Sequence, residues 1–409
     1  MPANYLHGVE TVEIATGPRP VQVVKTSVIA LVGTAPSGPI NTPTLVLSEV
    51  DAAQFGAKTP GHTIPYALDG IFDHGAGTVI VVNVFDPAVH KDAQNAPDPS
   101  RVEAADIIGG VDALTEARSG LACLRDIYTL FGFTPKIIIA PGFSPAAAVA
   151  VEMTARAEQF RAIALLDAPA GITVSQAVAG RGPSGEINFN TSSGRAVLLY
   201  PGCRVYDADA EGGVRVEGLS ARVAGLMAAV DLDEGYWTSP SNHELRGILG
   251  METPVSSGIN DPQSEANLLN EKGITTLFNA YGTGIRLWGN RTAAWPTVTA
   301  PKNFLPVRRV GDVLHESVEW AMLQFLDQPI TRPLIDSICG TVEQFIRTLV
   351  MRGALVDGAC RFNAAKNPET EIALGHLTFD LEYMPPTPAE RITFESHINT
   401  ALLKALTAQ

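Results

Sequence analysis

SVIALVGTAPSGP, residues Ser27 to Pro39, decides the fold: Val28 to Val32 is an unbroken apolar run that ends in a Gly/Pro loop. A strand with one wet face alternates apolar and polar residues, whereas a strand covered on both faces does not. TVIVVNV at 78–84 repeats the pattern after the helix-compatible IPYALDGIF, and KIIIAPG at 136–142 repeats it again. An alanine-rich helical stretch, AAAVAVEMTARAEQF, then leads into IALLDAP at 163–169. Doubly buried strands separated by helix-length segments predict an α/β body, with a central mostly parallel or mixed sheet covered by helices.

Outward from this frame the pattern is less regular. HKDAQNAPDPS at 90–100 reads as a loop, and 101–132 can hold a helix, a hairpin or both, so 88–133 is a possible outer insertion. ITVSQAVAG reads as a helix, RAVLLYPGCRVYD as a strand, and SARVAGLMAAVDLDEG as a helix whose acidic end, Asp231, Asp233 and Glu234, is expected to be solvated. INDPQSEANLLNEKGITTLF passes from turn to short helix to strand. Two amphipathic helices are predicted at Val313–Leu326 and Leu334–Val356. In the second, Ile335, Ile338, Val342, Ile346, Leu349 and Gly353 share a stripe, Asp336 and Ser337 favour the start, and Gly358 is the expected stop.

The ends look different. Gly8, Gly17, Pro18 and Pro20 break the first 24 residues into Val9–Ile14, in which Val12 and Ile14 alternate with polar residues, and Val21–Val24. At the other end HLTFDLEYM reads as a strand, and Pro385–Pro388 separates it from RITFESHINT. There Ile392, Phe394 and Ile398 fall on one side of a two-residue period.

Composition narrows function. The chain has 409 residues, 45% hydrophobic and 18% charged, with a formal net charge of -14. Charge is sparse against the roughly 25% usual in soluble domains, which suits a surface covered by other copies and, almost equally, a large single-chain α/β enzyme. The acidic balance argues against direct nucleic-acid binding, which needs clustered Lys and Arg. MPANYLHGVE has no positively charged leader, and no apolar run approaches the roughly 20 residues that span a bilayer, so cytoplasmic synthesis without membrane insertion is expected. Cys123, Cys203, Cys339 and Cys360 are far apart in sequence and are expected as buried free thiols.

Motifs for chemistry are weak. Gly180, Gly182 and Gly185 fit G-x-G-x-x-G, but Pro183 interrupts them and polar EINFNTSSG follows where a dinucleotide site needs a helix. No phosphate-binding loop, zinc cluster or G-x-S-x-G elbow is present. Asp167 could suit magnesium, yet it lacks a phosphate cradle; Asp73 and His74 are a local polar pair. No catalytic residue, cofactor or metal ligand is therefore assigned. Arg286, Trp288, Arg291 and Trp295 combine guanidinium and aromatic groups around GNRTAA, a pattern expected at a domain or subunit interface.

NEKGITTLFNAYGTGIRLWGNRTAA at 270–294 resembles the centre of contractile-tail sheath proteins, the shorter P2-like branch, which is also related to R-type bacteriocin sheaths. FLPVRRVGDVLHESVEWAMLQFLDQPITRPLIDSICGTVEQFIRTLVMRGALVDG, GHLTFDLEYMPPTPAERITF, YLHGVETVEI and SVIALVGTAPSGP extend the resemblance to both ends. It implies an N-terminal linking arm at 1–24, a body at 25–285, an α+β C-terminal assembly domain at 286–389 and a C-terminal arm at 390–409. Val9, Val12, Ile14, Ile392, Phe394 and Ile398 would sit on strands added to another subunit. It further implies self-association into hexameric rings and a helical sheath around a tail tube protein, baseplate and tail terminator proteins as partners, contraction that drives the tube through a cell envelope, and a place in the virion tail after assembly in bacterial cytoplasm. An α/β hydrolase or transferase with groups converging only in three dimensions, and a ring-forming protein that does not contract, are the alternatives.

Overall fold

The computed structural model describes residues 19–75, 77–280 and 282–406. Its strands are β1 (Val28–Gly33), β2 (Thr44–Val46), β3 (Thr78–Asn83), β4 (Ile137–Ile139), β5 (Ile163–Asp167), β6 (Ala196–Leu199), β7 (Cys203–Tyr206), β8 (Val214–Glu217), β9 (Gly250–Met251), β10 (Ile274–Ala280), β11 (Gly284–Trp288), β12 (Asp357–Phe362) and β13 (Phe379–Met384). The principal helices are α1 (Ile64–Phe72), α2 (Ala147–Phe160), α3 (Ser220–Asp233), α4 (Leu305–Met322) and α5 (Arg332–Met351).

An eight-stranded sheet in the order β11-β10-β6-β5-β4-β1-β3-β2 forms the body. Its interior pairs are parallel, and only the edge pairs, β2 with β3 and β11 with β10, are antiparallel. Consecutive residues of β1 go to opposite sides: Val28, Ala30 and Val32 enter a core with α2, while Ile29 and Leu31 enter another with α1 and α3. This is why the run lacks alternation, since each face has its own helical cover.

Segment 88–133 divides by burial. Val102, Ile107, Leu121, Leu124 and Ile127 are packed into the α2-side core, and a helix at Ala104–Ile108 is followed by a bridge between Val111 and Arg118. Both a helix and a hairpin-like turn are thus present, and Leu114 at the tip stands open.

Several expectations need correction. RAVLLYPGCRVYD is two strands, not one: β6 lies in the body sheet and β7 joins β8 and β9 in a separate three-stranded sheet. Pro201 lacks the amide donor that a central ladder requires, so the strand ends there. α4 starts at Leu305, ahead of the predicted Val313, with Pro306 in the first turn where no internal donor is needed. α5 runs from Arg332 to Met351, with Thr331 Oγ1 accepting from the Leu334 amide at 3.3 Å, so Asp336 and Ser337 are inside the helix. It stops before Gly353, whose φ of 82° is left-handed. Gly358 is instead in β12, where an added Cβ would meet the Glu382 carbonyl oxygen at 2.8 Å. The division expected near 285 falls inside β11, whose ladder with β10 keeps it in the body sheet.

α4, α5 and the antiparallel β12–β13 pair enclose a third core, with Val310, Leu314, Val342, Phe345, Ile346 and Leu349 at its centre. Residues 19–27 run along α4: Arg19 N donates to Gln324 Oε1 at 2.7 Å and Val24 N to Ser317 Oγ at 3.3 Å. Val9, Val12 and Ile14 lie outside the described residues.

Candidate assembly surfaces

The four interface candidates form two groups. In β11, Arg286 lies opposite Phe278 and its Nη1 donates to the Asn242 carbonyl at 2.6 Å, tying the loop before β9 to the sheet. Trp288 stacks on Phe278 with ring centroids 4.7 Å apart. Beyond β11, the Arg291 guanidinium lies 3.9 Å from the Trp295 ring and 4.2 Å from the Phe304 ring. Its Nη1 donates to Asn303 Oδ1 at 2.8 Å and its Nε to Glu390 Oε1 at 2.8 Å. Trp295 is fixed in turn, its Nε1 donating to the Glu271 carbonyl at 2.9 Å. Sequence reasoning found Arg291 and Trp295 but not Phe304, Asn303 or Glu390. The one available signal for Glu390 was its position just past the proline run.

Glu390 is the last residue of the C-terminal segment whose side chain is tied to the body among the described residues. From 386 to 398 no backbone hydrogen bond joins the segment to anything else described, and the strand predicted at 391–400 forms no ladder among the described residues. Ile392, Phe394 and Ile398 are 70%, 89% and 100% exposed, and Leu402, Leu403 and Leu406 follow them. A run of large apolar side chains in water is costly unless a partner covers it.

A matching deficit exists in the third core. β12 and β13 make a sheet of only two strands, so each has one edge without a ladder partner among the described residues. The inner face is well packed, with Phe362 and Phe379 in edge contact at 5.7 Å and Cys360 buried against α5. Two-stranded sheets are marginal alone, and open edges recruit further strands.

α4 lies across the ends where the body strands begin. Arg309, Asp312, Glu316 and Glu319 share one helical face through three- and four-residue spacing. Arg309 meets Asp231, with Nη1 to Oδ1 at 2.7 Å; Asp312 meets Arg195 before β6; Glu316 meets Lys136 before β4; Glu319 takes Arg161 before β5 through two 2.6 Å bonds. The side chains of Asp231, Arg309, Lys136 and Arg195 are between 1% and 7% exposed. Asp231 is therefore no solvated helix end: Ser27 Oγ also donates to it at 2.9 Å. Burial lowers the Lys136 pKa and raises that of Asp312, and the neighbouring charges of Glu316 and Arg195 oppose these shifts.

The enzyme-like candidates have structural partners. Asp167 accepts from the Ser220 amide at 2.8 Å and from the hydroxyls of Ser220 and Ser144, and burial raises its pKa to about 6. Gly180, Gly182 and Gly185 make turns around Arg181, which donates to the carbonyls of Lys272, Ala293 and Trp295. Asp73 pairs with Arg222 at 2.7 Å, and burial lowers the pKa of His74 to about 4. Cys123, Cys203 and Cys360 are buried and Cys339 is half-buried, all as free thiols. Among the described residues no three His, Cys, Asp or Glu groups are placed to hold a metal, and no helix is long and apolar enough to cross a membrane.

Comparison with known proteins gives a consistent set. Residues 106–293 match the family described as phage tail sheath protein central domain. Over 99% of both chains the sequence is 48% identical to the tail sheath protein of Burkholderia phage BcepMu. It is 27% identical to that of Escherichia phage P2, over 99% of this chain and 98% of the other. The fold is similar to the helical sheath of the anti-feeding prophage in its contracted state, with a TM-score of 0.70 at 20% identity, covering 97% of this chain and 100% of that one.

Proposed function

This chain belongs to the phage tail sheath family, and we propose that it is the repeating subunit of a contractile sheath, acting by assembly and collective rearrangement rather than by catalysis. One observation supports this most directly: an exposed segment with alternating Ile392, Phe394 and Ile398 coexists with a two-stranded sheet that has open edges. A strand from one subunit completes the ladder of the next. Each shared backbone bond is worth roughly 0.5–1.5 kcal/mol net, and repetition makes the linkage cooperative.

In this reading residues 1–24 form a second arm, and the subunits stack as hexameric rings around a tail tube, bounded by baseplate and terminator proteins. Contraction exchanges one set of body contacts for a better one while the arms preserve connectivity. Arg291, Trp295 and Phe304 anchor the arm root, so motion is confined to the chain beyond Glu390. Assembly takes place in bacterial cytoplasm and the product resides in the tail.

Electron microscopy of concentrated pure protein tests the reading. Stacked tubes are expected, together with a shift to a shorter, wider lattice under destabilising conditions. Single closed rings that never stack would favour a ring protein without contraction, and dispersed monomers at every concentration would overturn assembly altogether.

A further inference from the structure

We propose that the groove between α2 and the 185–191 loop is a docking site for residues 400–406 of a second copy of this chain, an inference that rests on the reading that the C-terminal segment leaves its own subunit. The groove is a cavity of about 310 Å³. Ala147, Ala150, Val151 and Thr154 recur at three- and four-residue spacing, so they line one face of α2, and the two alanines leave room that longer side chains would fill. Leu166 of β5 and Ile187 of the loop complete the apolar lining, and Glu186 is exposed to solvent beside them. The loop wall is fixed before anything binds. Phe189 is buried, Asn188 Nδ2 donates to the carbonyls of Ser144 at 2.9 Å and Asp167 at 2.7 Å, and Arg181 Nη1 donates to the Phe189 carbonyl at 3.0 Å. A groove already in shape loses little freedom when it is occupied.

The groove asks for compact apolar side chains on one side of a turn, carried by a segment that is not acidic. Thr400–Leu406 is a 3-10 turn of that kind, opened by the Ala401 amide donating to Asn399 Oδ1 at 2.9 Å. Leu403 and Leu406 are three residues apart and line up along it, with Leu402 beside them. They are 60%, 82% and 71% exposed, so the turn has an uncovered apolar side. Residues 396–406 contain Lys404 and no acidic residue, which complements Glu186. The tether is long enough. Residues 386–398 make no backbone hydrogen bond to anything else described, and the ten residues from Glu390 to Thr400 span at most about 33–36 Å when extended. That is about the width of a small domain, so the turn reaches an adjacent body.

The test titrates a fluorescein-labelled peptide of residues 396–406, followed by anisotropy, onto the full chain carrying Leu402→Ser, Leu403→Ser and Leu406→Ser. That chain keeps the groove and the strand at 392–398 but cannot fill the groove with its own tail. Saturable binding is expected with a Kd below about 1 mM, and a peptide with the same three serines should bind at least about tenfold more weakly. Val151→Asp and Glu186→Lys in the receiving chain change exposed side chains. Both should keep the native circular dichroism spectrum, with affinity lower by about tenfold in the first and by a smaller, salt-dependent factor in the second. Binding that does not saturate, equal binding of the serine peptide, or unchanged affinity in either groove variant would each overturn the proposal. Binding is read on dispersed chains, so a chain that takes the peptide but never forms tubes would count against the sheath reading and leave this contact standing.

Discussion

Arg291 grips Glu390 across most of the C-terminal unit, donating to both carboxylate oxygens while its guanidinium also contacts the rings of Trp295 and Phe304. The pair itself is half-exposed at Glu390 and contributes little, about 0.5 kcal/mol, whereas each ring contact adds about 0.5–1 kcal/mol. Arg291→Met should therefore cost about 1–2 kcal/mol in urea unfolding and Glu390→Gln only about 0.5. Tubes grown from the first variant should be fewer and shorter, because the arm root is loose. Equal losses in the two variants would mean that the rings carry none of the anchoring.

Deletion after Ala389 should leave the circular dichroism spectrum and urea midpoint of the body nearly unchanged while abolishing long tubes. Thr393→Pro should reproduce much of that loss by removing one amide donor from the strand. Unfolding of both variants would place this segment inside the chain's own sheet instead.

Ile346 and Ile392 look alike in sequence but are 2% and 70% exposed. Ile346→Asp should lose about 3–5 kcal/mol through lost packing and a desolvated charge, removing the cooperative transition before assembly can be assessed. Ile392→Asp should fold normally and fail to polymerise. Comparison of their unfolding curves and micrographs separates core from arm.

In the seam under α4, Arg309 and Asp231 are nearly withdrawn from water. Arg309→Met leaves the Asp231 charge buried without its main partner and should cost about 3–5 kcal/mol. Adding Asp231→Leu should recover a large part of that, since an apolar replacement removes the orphaned charge. A double variant no better than the single one would show that the pair contributes only through the shape of its side chains.

Two buried groups give opposing pH slopes. Asp167 has its pKa raised by burial from 3.8 to about 6, so its contribution to stability is full below the lower value and is lost as pH rises to the higher. His74 is lowered by burial from 6.5 to about 4, so its contribution is full above the higher value and is lost as pH falls to the lower. These terms offset in the native chain. Asp167→Asn removes the first, and its stability relative to the native chain should rise by about 3 kcal/mol between about pH 4 and about pH 7. A flat difference across that range in urea titrations would show that Asp167 keeps its ordinary pKa.

The body was legible because β1, β3, β4 and β5 are doubly buried, and burial on both faces writes itself as an uninterrupted apolar run. The start of α4 was not. Arg308, Arg309 and Asp312 read as a polar stretch, yet Arg309 and Asp312 face inward, paired with Asp231 and Arg195, which lie 78 and 117 residues away in sequence. No local period reports such a partner. Asp231 was misread for the same reason. RAVLLYPGCRVYD misled because its apolar residues serve two sheets. The candidate assembly residues are visible in the sequence only as local patterns: the alternation around Phe394 and the Arg291 and Trp295 pair stand out, whereas Glu390 acquires meaning only through its distant contact.

The seam has a consequence for the medium in which the subunit operates. Mobile ions weaken attraction between charges that water can reach, over a distance of about 10 Å at 0.1 M salt. Arg332 and Asp336 on α5 are open to that weakening, with side chains 74% and 60% exposed. Asp231, Arg309, Lys136 and Arg195 are sealed from it. A change in ionic strength therefore alters attractions on the outside of the subunit and leaves its internal joint at nearly constant strength, so salt acts between subunits without loosening the parts from which each is built.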